Sequence, residues 1–223
     1  MSVGAGVPQG TKLGPVLFLV MVNDLIPPNN DYWKYVDDMS MSEVISRNGV
    51  SNMQSDLDHT SSWATDNYMK LNPTKCKELR ISFLRQKPNF SHLHIDGAPI
   101  PTVESAKVLG VSLQNDLKWK SHVDNITTKA AKRLYILRVL KRNGLHDDDL
   151  TSIFKILIRS VLQYGCPVWH SSLPAYLSRK IENIQRRAFR IIYPFKSYSD
   201  ALSMSGCLSL AENRHQLSQK LLS

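Results

Sequence analysis

Two adjacent carboxylates, Asp37 and Asp38, constrain what this chain can fold into more than any other feature of the sequence. They directly follow an aromatic stretch, Tyr32-Trp33-Lys34-Tyr35, and Val36. This pattern predicts a β-hairpin with strands over residues 32–36 and 39–44 and a turn at the two aspartates. Adjacent carboxylates at the tip of a stiff hairpin can seat Mg²⁺, which prefers oxygen ligands. An Asp-Asp pair is also common in plain solvated turns, so its sequence context has to decide between these interpretations.

A glycine-bearing segment upstream supplies that context. It reads Pro8-Gln9-Gly10-Thr11-Lys12-Leu13-Gly14-Pro15, and Thr11 is a candidate N-cap for a helix running to about Leu25. Gly10 lacks a Cβ, so another molecule can approach the backbone closely there. A glycine turn that opens a helix and a carboxylate pair on a hairpin together indicate template-directed nucleotide addition. Two divalent ions can stabilise both ends of such a displacement.

Bulk composition fits an ordinary folded chain. The 223 residues suffice for one large domain or two small ones, and a hydrophobic content of 42% allows a buried core. No apolar run is long enough to span a bilayer, and no basic region precedes an apolar stretch as in a secretory signal. Cys76, Cys166 and Cys207 are too far apart for a disulfide framework or a zinc knuckle. We therefore expect an intracellular protein, nuclear or cytoplasmic, that is neither secreted nor bound to a membrane.

Charge is distributed unevenly along the chain. Residues 1–72 hold four Lys/Arg against eight Asp/Glu, a net charge of −4. Residues 73–223 hold 24 Lys/Arg against 11 Asp/Glu, a net charge of +13. The acidic front can hold cations, and the basic rear can neutralise phosphates. A soluble domain with a basic surface would show the same bulk charge.

The order of predicted elements changes from mixed to helical along the chain. A helix from about 51 to 67 is predicted with Met53, Leu57, Ala64 and Tyr68 on its apolar face. Strands are predicted at 78–84, at 93–95 before an Asp96-Gly97 turn, and at 108–111. Helices are predicted over 119–141, 147–162 and 174–192, and the pattern after Pro194 predicts no clear helix or strand.

Four motifs in order resemble those of reverse transcriptases, in particular those of LINE-type and jockey-type retrotransposons, which lack long terminal repeats. They are the 8–15 segment, Tyr35-Val36-Asp37-Asp38, Leu71-Asn72-Pro73-Thr74-Lys75-Cys76 and Val108-Leu109-Gly110-Val111. The helices after Trp119 are similar to the thumb of these polymerases, so the resemblance runs from about residue 3 to 193. Group II intron maturases and telomerase-like polymerases are closer alternatives than proteins of other classes, but the sequence Gly-Thr-Lys-Leu-Gly-Pro favours a retrotransposon.

The resemblance implies a role for each matching residue. Asp37 would be a metal ligand with Asp38 as its essential neighbour, and the cofactor would be Mg²⁺ or Mn²⁺. Lys75 would lie beside the triphosphate and could protonate the departing pyrophosphate, although an ordinary solvated lysine is an open alternative. The remaining residues would contact nucleic acid or nucleotide: Gln9, Gly10, Tyr35 and Val36 would line the nucleotide and template pocket, and Leu109 and Gly110 would form the primer grip. The implied partners are an RNA template, a DNA primer, deoxynucleoside triphosphates and other retroelement-encoded segments.

One departure from the family concerns the metal site. The family uses a third carboxylate on a strand well upstream of the Pro-Gln-Gly segment, and that stretch, with the template-clamping fingers, precedes anything in this sequence. Asp24 and Asp31 are the acids between the two motifs, and neither has the context of the missing ligand. We therefore expect weak metal binding and no polymerisation by this chain alone.

These observations predict an α+β fold: a partial polymerase palm over residues 1–115, a helical thumb-like region over 116–195 and a C-terminal tail over 196–223. The predicted function is the reverse transcriptase fragment of a retrotransposon. Two alternatives stay open: a non-catalytic basic nucleic-acid-binding module, and a degenerate, poorly folded product. Three smaller interpretations accompany them. Tyr32, Trp33 and Tyr35 could stack on bases, but aromatics at strand spacing are more often core residues. The basic face of the 119–141 helix is either phosphate-binding or merely solvated, and Glu182 with Arg186, Arg187 and Arg190 would form surface ion pairs.

Overall fold

The structure, a computed structural model, describes residues 13–47 and 49–222, and the chain divides between Glu104 and Ser105 into two compact units. The first unit mixes helices with short strands, and the second is mostly helical. The fold is α+β, as predicted. None of the described helices is both long and apolar enough to cross a membrane.

The first unit begins with helix α1 (Leu13–Met21), which continues into a 3₁₀ turn (Val22–Asp24). Hairpin strands β1 (Asp31–Tyr35) and β2 (Asp38–Ser42) follow, and then helix α2 (Met53–Asp66). Four two-residue strands complete the unit: β3 (Glu78–Leu79) pairs in parallel with β6 (Thr102–Val103), and β4 (His94–Ile95) pairs antiparallel with β5 (Ala98–Pro99).

A small apolar core holds the first unit together. Leu57 of α2 is buried with Ile95 and Ile100, and smaller contributions come from neighbouring elements. Those partly buried neighbours are Met41, Met53, Leu71, Cys76 and Leu93. The predicted apolar face of α2 is therefore right at Leu57 and Ala64, which is also buried.

Tyr68 was predicted on that face wrongly, because α2 ends before it. The side chain of Asn67 donates to the Trp63 carbonyl at 2.9 Å, and the Met69 amide donates to the Ala64 carbonyl at 2.8 Å. Tyr68 adopts a left-handed backbone (φ 57°) between them, so its ring points into solvent.

The strand predicted over 78–84 is also too long. Only Glu78 and Leu79 pair with β6, since the Arg80 guanidinium folds back onto the Glu78 carboxylate at 2.7 Å. The same guanidinium donates to the carbonyls of Phe90 and Ser91 at 3.0 and 2.9 Å. These bonds tie the 80–91 loop to the end of β3 in place of further strand pairing.

The second unit opens with hairpin β7 (Ser105–Val108) and β8 (Val111–Gln114), followed by the long helix α3 (Lys120–Arg142). A continuous helical segment then runs through α4 (Asp147–Ile153), a π-helical stretch (Phe154–Arg159) and α5 (Ser160–Gln163). The remaining helices are α6 (Cys166–Trp169), α7 (Ala175–Ile192), α8 (Tyr198–Ser205) and α9 (Leu210–Leu222).

A large apolar core holds these helices together. It includes α8 and α9, which lie beyond Pro194, where the sequence pattern predicted no clear helix or strand. Ala201, Cys207 and Leu210 are buried in the same cluster as α3 and α7. Arg214 of α9 is fully buried: its Nη2 donates to the Ser178 hydroxyl at 2.9 Å, and its guanidinium lies 5.6 Å from the centre of the Trp169 ring. The C-terminal helices are therefore part of the second unit.

Candidate polymerase site

The β1–β2 hairpin presents the two aspartates at its tip. The strands pair from Asp31 with Ser42 to Tyr35 with Asp38, which leaves Val36 and Asp37 as the connecting turn. Asp37 and Asp38 are both exposed. Val36 has a φ of 56°, an unusual conformation for a β-branched residue that costs about 1–3 kcal/mol where it occurs. The surrounding hairpin has to hold this turn in place.

The hairpin has one face toward the protein and one toward solvent. Tyr32, Lys34, Met39 and Met41 alternate on the half-buried face, and Met41 packs against the small core. Trp33 and Tyr35 lie on the other face with Asp38, and Tyr35 is 62% exposed. The interpretation of these aromatics as core residues is therefore wrong for Trp33 and Tyr35, because strand alternation places them on the open face.

Lys34 fixes the hairpin to the end of the preceding helical segment. Its ammonium group donates to the carbonyls of Val22 at 2.7 Å, Asn23 at 3.0 Å and Leu25 at 3.0 Å. All three of its protons are thus used on carbonyls at the C-terminal end of the helical segment, where positive charge is favourable.

A buried carboxylate, Asp56 of α2, fixes the turn that leads into β1. Its Oδ1 accepts from the backbone and side-chain amides of Asn29 at 3.1 and 2.7 Å, and its Oδ2 accepts from Asn30 Nδ2 at 2.8 Å. Asp56 is fully buried, and sequence reasoning missed it. The available signal was an acid next to Leu57, on the side of α2 that the apolar pattern turns toward the core.

Lys75 lies in a compact turn of the first unit, and its side chain is exposed. The Asn72 side chain accepts from the amide and hydroxyl of Thr74 at 3.1 and 2.6 Å, and the Lys75 amide donates to the Asn72 carbonyl at 3.1 Å. The next residue, Cys76, packs on the same small core as Met41 of β2, and burial raises the pKa of its thiol. Lys75 and the aspartate hairpin are therefore anchored on one core.

Leu109 and Gly110 form the turn of the β7–β8 hairpin in the second unit. Their φ values are 45° and 89°, and positive φ at both central residues is what a type I′ turn requires. The interpretation of 108–111 as continuous strand is thus wrong at its two central residues. The Tyr164 hydroxyl donates to the Leu109 carbonyl at 2.8 Å, and a Cβ on Gly110 would lie 2.9 Å from Tyr164 Cε1. Tyr164 therefore supports the turn through this hydrogen bond, and its ring leaves no room for a side chain at position 110.

The remaining predicted pocket residues, Gln9 and Gly10, lie outside the described residues. Among the described residues, no group of three or more His, Cys, Asp or Glu side chains could hold a metal ion. Asp24, one of the acids between the motifs, accepts from Trp63 Nε1 at 3.2 Å. Asp37 and Asp38 thus supply two carboxylates of suitable chemistry, a partial fit to a divalent ion that needs several oxygen ligands.

Comparisons with known proteins bear on the family to which the chain belongs. The family model described as reverse transcriptase (RNA-dependent DNA polymerase) matches residues 2–113, half of the chain. The chain is 27% identical over 203 residues to the probable RNA-directed DNA polymerase from transposon X-element of Drosophila melanogaster, covering 86% of this chain and 22% of that protein. It is 27% identical over 207 residues to the RNA-directed DNA polymerase from mobile element jockey of the same species, covering 85% and 22% respectively.

A third relative, the probable RNA-directed DNA polymerase from transposon BS of Drosophila melanogaster, is 24% identical over 228 residues, covering 96% of this chain and 25% of that protein. These matches extend well beyond residue 113 and so include the helical unit. The chain spans about a quarter or less of the length of these relatives. No solved structure matches it. The chain belongs to the reverse transcriptase family, as a fragment of the type found in retrotransposons that lack long terminal repeats.

Proposed function

We propose that this chain carries the metal-binding carboxylates and the primer-contacting hairpin of an RNA-directed DNA polymerase. The observation that carries the proposal is the placement of two adjacent, exposed aspartates at the hairpin tip: Asp37 lies in the two-residue turn beside the strained Val36, and Asp38 is the first residue of β2. In this proposal the palm-like part ends near residue 115, the helices to residue 195 are thumb-like, and 196–223 forms their C-terminal extension.

Asp37 and Asp38 would hold Mg²⁺ or Mn²⁺ weakly in this chain. When bound, the ion supplies Lewis-acid stabilisation of charge on the transferring phosphoryl group. The chain's own residues position the reactants: Tyr35 and Val36, with Gln9 and Gly10, would line the pocket for the template base and incoming nucleotide. Lys75 would donate a proton to the departing pyrophosphate, and Leu109 and Gly110 would support the primer end. Substrates would be an RNA template, a DNA primer and deoxynucleoside triphosphates, with other retroelement-encoded segments as partners.

Metal binding can be tested without relying on activity. Mn²⁺ titrated into the labelled chain should broaden the amide NMR signals of residues 35–38 first, since a paramagnetic ion relaxes nearby nuclei. The broadening should disappear in Asp37→Asn and Asp38→Asn and persist in Asp31→Asn, an exposed acid at the far end of the same hairpin. Equal broadening in all three variants would contradict the proposed site.

Primer extension tests the expected lack of independent activity. We expect no incorporation by the 223-residue chain on a primed RNA template with Mg²⁺ or Mn²⁺, because two carboxylates leave the ion incompletely held. Clear incorporation that disappears in Asp37→Ala would contradict this expectation and establish a complete active centre.

A non-catalytic nucleic-acid-binding role is the second candidate, favoured by the charge of the second unit. Residues 105–223 hold 19 Lys/Arg against eight Asp/Glu, a net charge of +11. Lys129, Lys132 and Arg138 of α3 are exposed. This role requires salt-dependent RNA binding that is unchanged by Asp37→Asn and Asp38→Asn, whereas a metal-dependent role requires binding that responds to these variants.

A further inference from the structure

A basic cleft lies between helix α7 and the start of helix α8 in the second unit. It has a volume of about 280 Å³, and its rim carries three cationic side chains: Arg186, Arg190 and Lys196. Its floor is formed by Phe189 and Ala201, both buried. Arg186 and Arg190 are one helical turn apart on α7, so both reach the same side of the helix.

The cations of this cleft are not neutralised by the protein. The ion pairs predicted for Glu182 with Arg186 and Arg190 do not form among the described residues, because the Glu182 carboxylate instead accepts hydrogen bonds from the Tyr198 hydroxyl and from the Leu210 amide, the latter at 3.3 Å. Asp200, the other nearby acid, is bonded to the Ser197 hydroxyl at 2.7 Å. Within the described part of the chain, no ion pair involves Arg186, Arg190 or Lys196.

One of the cations is held in position before any ligand arrives. The Arg186 guanidinium lies 4.3 Å from the centre of the Tyr198 ring. The Tyr198 hydroxyl is fixed in turn by Gln185 Nε2, which donates to it at 2.9 Å, and by its bond to Glu182. Burial is the largest cause that raises the pKa of this phenol far above its usual range, followed by the Glu182 carboxylate. A planar guanidinium stacked on a fixed ring is well suited to bind a phosphate group.

An exposed aromatic residue is the sequence neighbour of one of the cleft cations. Phe195, in the loop between α7 and α8, is 97% exposed and immediately precedes Lys196. A phenylalanine so fully in water contributes nothing to the core. Positive groups that follow a backbone, together with an aromatic ring on which a base can stack, form the usual arrangement for binding single-stranded nucleic acid.

We propose that the cleft binds single-stranded nucleic acid, with Arg186, Arg190 and Lys196 on successive backbone phosphates and Phe195 stacked on a base. The choice of nucleic acid among phosphate-bearing ligands rests on the proposed function. The residues of the cleft belong to the second, helical unit, whereas the carboxylate hairpin belongs to the first unit. Binding at the cleft therefore needs no divalent ion.

The test is fluorescence anisotropy of a labelled 20-nucleotide single-stranded RNA with the full chain, in EDTA, over a series of salt concentrations. The double variant Arg190→Gln/Lys196→Gln removes two phosphate contacts, so the slope of log K against log salt should become shallower by about 1.4, at roughly 0.7 per phosphate. Phe195→Ala should weaken binding by about 5- to 150-fold with an unchanged slope, because stacking involves no counterion release. All three side chains are exposed, and none has a hydrogen-bond partner among the described residues, so these variants should fold.

Arg179→Gln is the matched control, since Arg179 is an exposed arginine of α7 outside the cleft. It should leave both the affinity and the slope close to those of the unmodified chain. Equal losses in Arg179→Gln and in the double variant would overturn the proposal in favour of diffuse charge attraction. If the double variant lost binding to phosphatidylserine vesicles but kept its RNA binding, the proposal would be overturned in favour of a lipid surface as the ligand. Because the measurement excludes metal, a failed Mn²⁺ titration at Asp37 and Asp38 leaves its outcome unaffected.

Discussion

The ammonium group of Lys34 donates a 2.7 Å hydrogen bond to the carbonyl of Val22, and two further bonds connect it to Asn23 and Leu25. A residue three positions before Asp37 is thus bonded to the end of the helical segment that follows the glycine-bearing motif. One side chain therefore joins the aspartate hairpin to the 3₁₀ turn that follows α1 and to the residue after it. This side chain lies on the opposite face of the hairpin from Asp38 and leaves the carboxylates free.

Lys34→Met should loosen the aspartate hairpin. The substitution keeps the apolar stem and removes three bonds from a charged donor, so we expect a loss of about 1.5–3 kcal/mol in the free energy of unfolding. Hydrogen exchange at residues 31–42 should accelerate more than in the second unit. Lys70→Met, at an exposed lysine of the first unit, is the control and should change stability by less than about 0.5 kcal/mol. Similar exchange in both variants would show that the Lys34 contacts are not stabilising.

Asp56→Ala should destabilise the first unit by about 2–3 kcal/mol, since it leaves three amide donors of Asn29 and Asn30 without their charged acceptor. Urea unfolding followed by the fluorescence of Trp33 and Trp63 would measure this loss. The matched control is Asp58→Ala on the same helix, where an exposed carboxylate accepts a single bond from Gln54. A larger effect at Asp58 than at Asp56 would contradict the assignment of Asp56 as the anchor of the turn before β1.

Gly110→Ala should destabilise the β7–β8 turn more than Gly144→Ala destabilises the end of α3. Both glycines have strongly positive φ, 89° and 82°, so each substitution carries about 1–2 kcal/mol of backbone strain. Only the Cβ at position 110 meets a neighbour, Tyr164 at 2.9 Å, and nothing described lies within 4 Å at Gly144. Thermal unfolding should show the difference.

The same clash predicts an interaction between the two residues. In a Tyr164→Ala background the extra cost of Gly110→Ala should fall to that of Gly144→Ala, as a double-mutant cycle would reveal. Strictly additive effects would indicate that the Tyr164 ring moves aside without cost.

Stability should fall as the pH drops below about 6.5, the ordinary histidine pKa. The pKa of His122 is lowered, chiefly by burial and to a smaller extent by the positive charge of Lys129. Burial is also the largest cause that lowers the pKa of His170. The unfolded chain therefore binds more protons than the folded one between the ordinary pKa and the lowered one. Folding stability is present above this window and is lost as pH falls through it.

Urea unfolding at pH 7.5 and pH 5.0 would measure this dependence. His122 accepts from the Ser112 amide at Nδ1 (3.3 Å) and packs between Trp119 and Trp169, so His122→Gln should reduce the difference between the two pH values. His92→Gln, at an exposed histidine, should leave it unchanged. A pH dependence that is identical in both variants would exclude His122 as a source.

The sequence by itself determined the family, the α+β class and the location of most elements. Apolar spacing placed α3 and α7 within a residue of their observed ends, and the aromatic stretch before Asp37 predicted the hairpin that carries it. These features are local: helical periodicity, strand alternation and turn residues are encoded by neighbours within a few positions. The ordered motifs identified the family for the same reason.

Only the tertiary structure decided which side chains hold these elements in place. Lys34, Asp56 and Tyr164 bond to groups 12, 27 and 55 positions away, and no local pattern distinguishes them from solvated residues. The exposure of Trp33 and Tyr35 depends on which face of the hairpin the small core covers. Likewise, the cations beside Tyr198 form a cleft only because α8 packs back on α7. Long-range contacts are set by the packing of whole elements, which is a property of the folded chain and not of its local sequence.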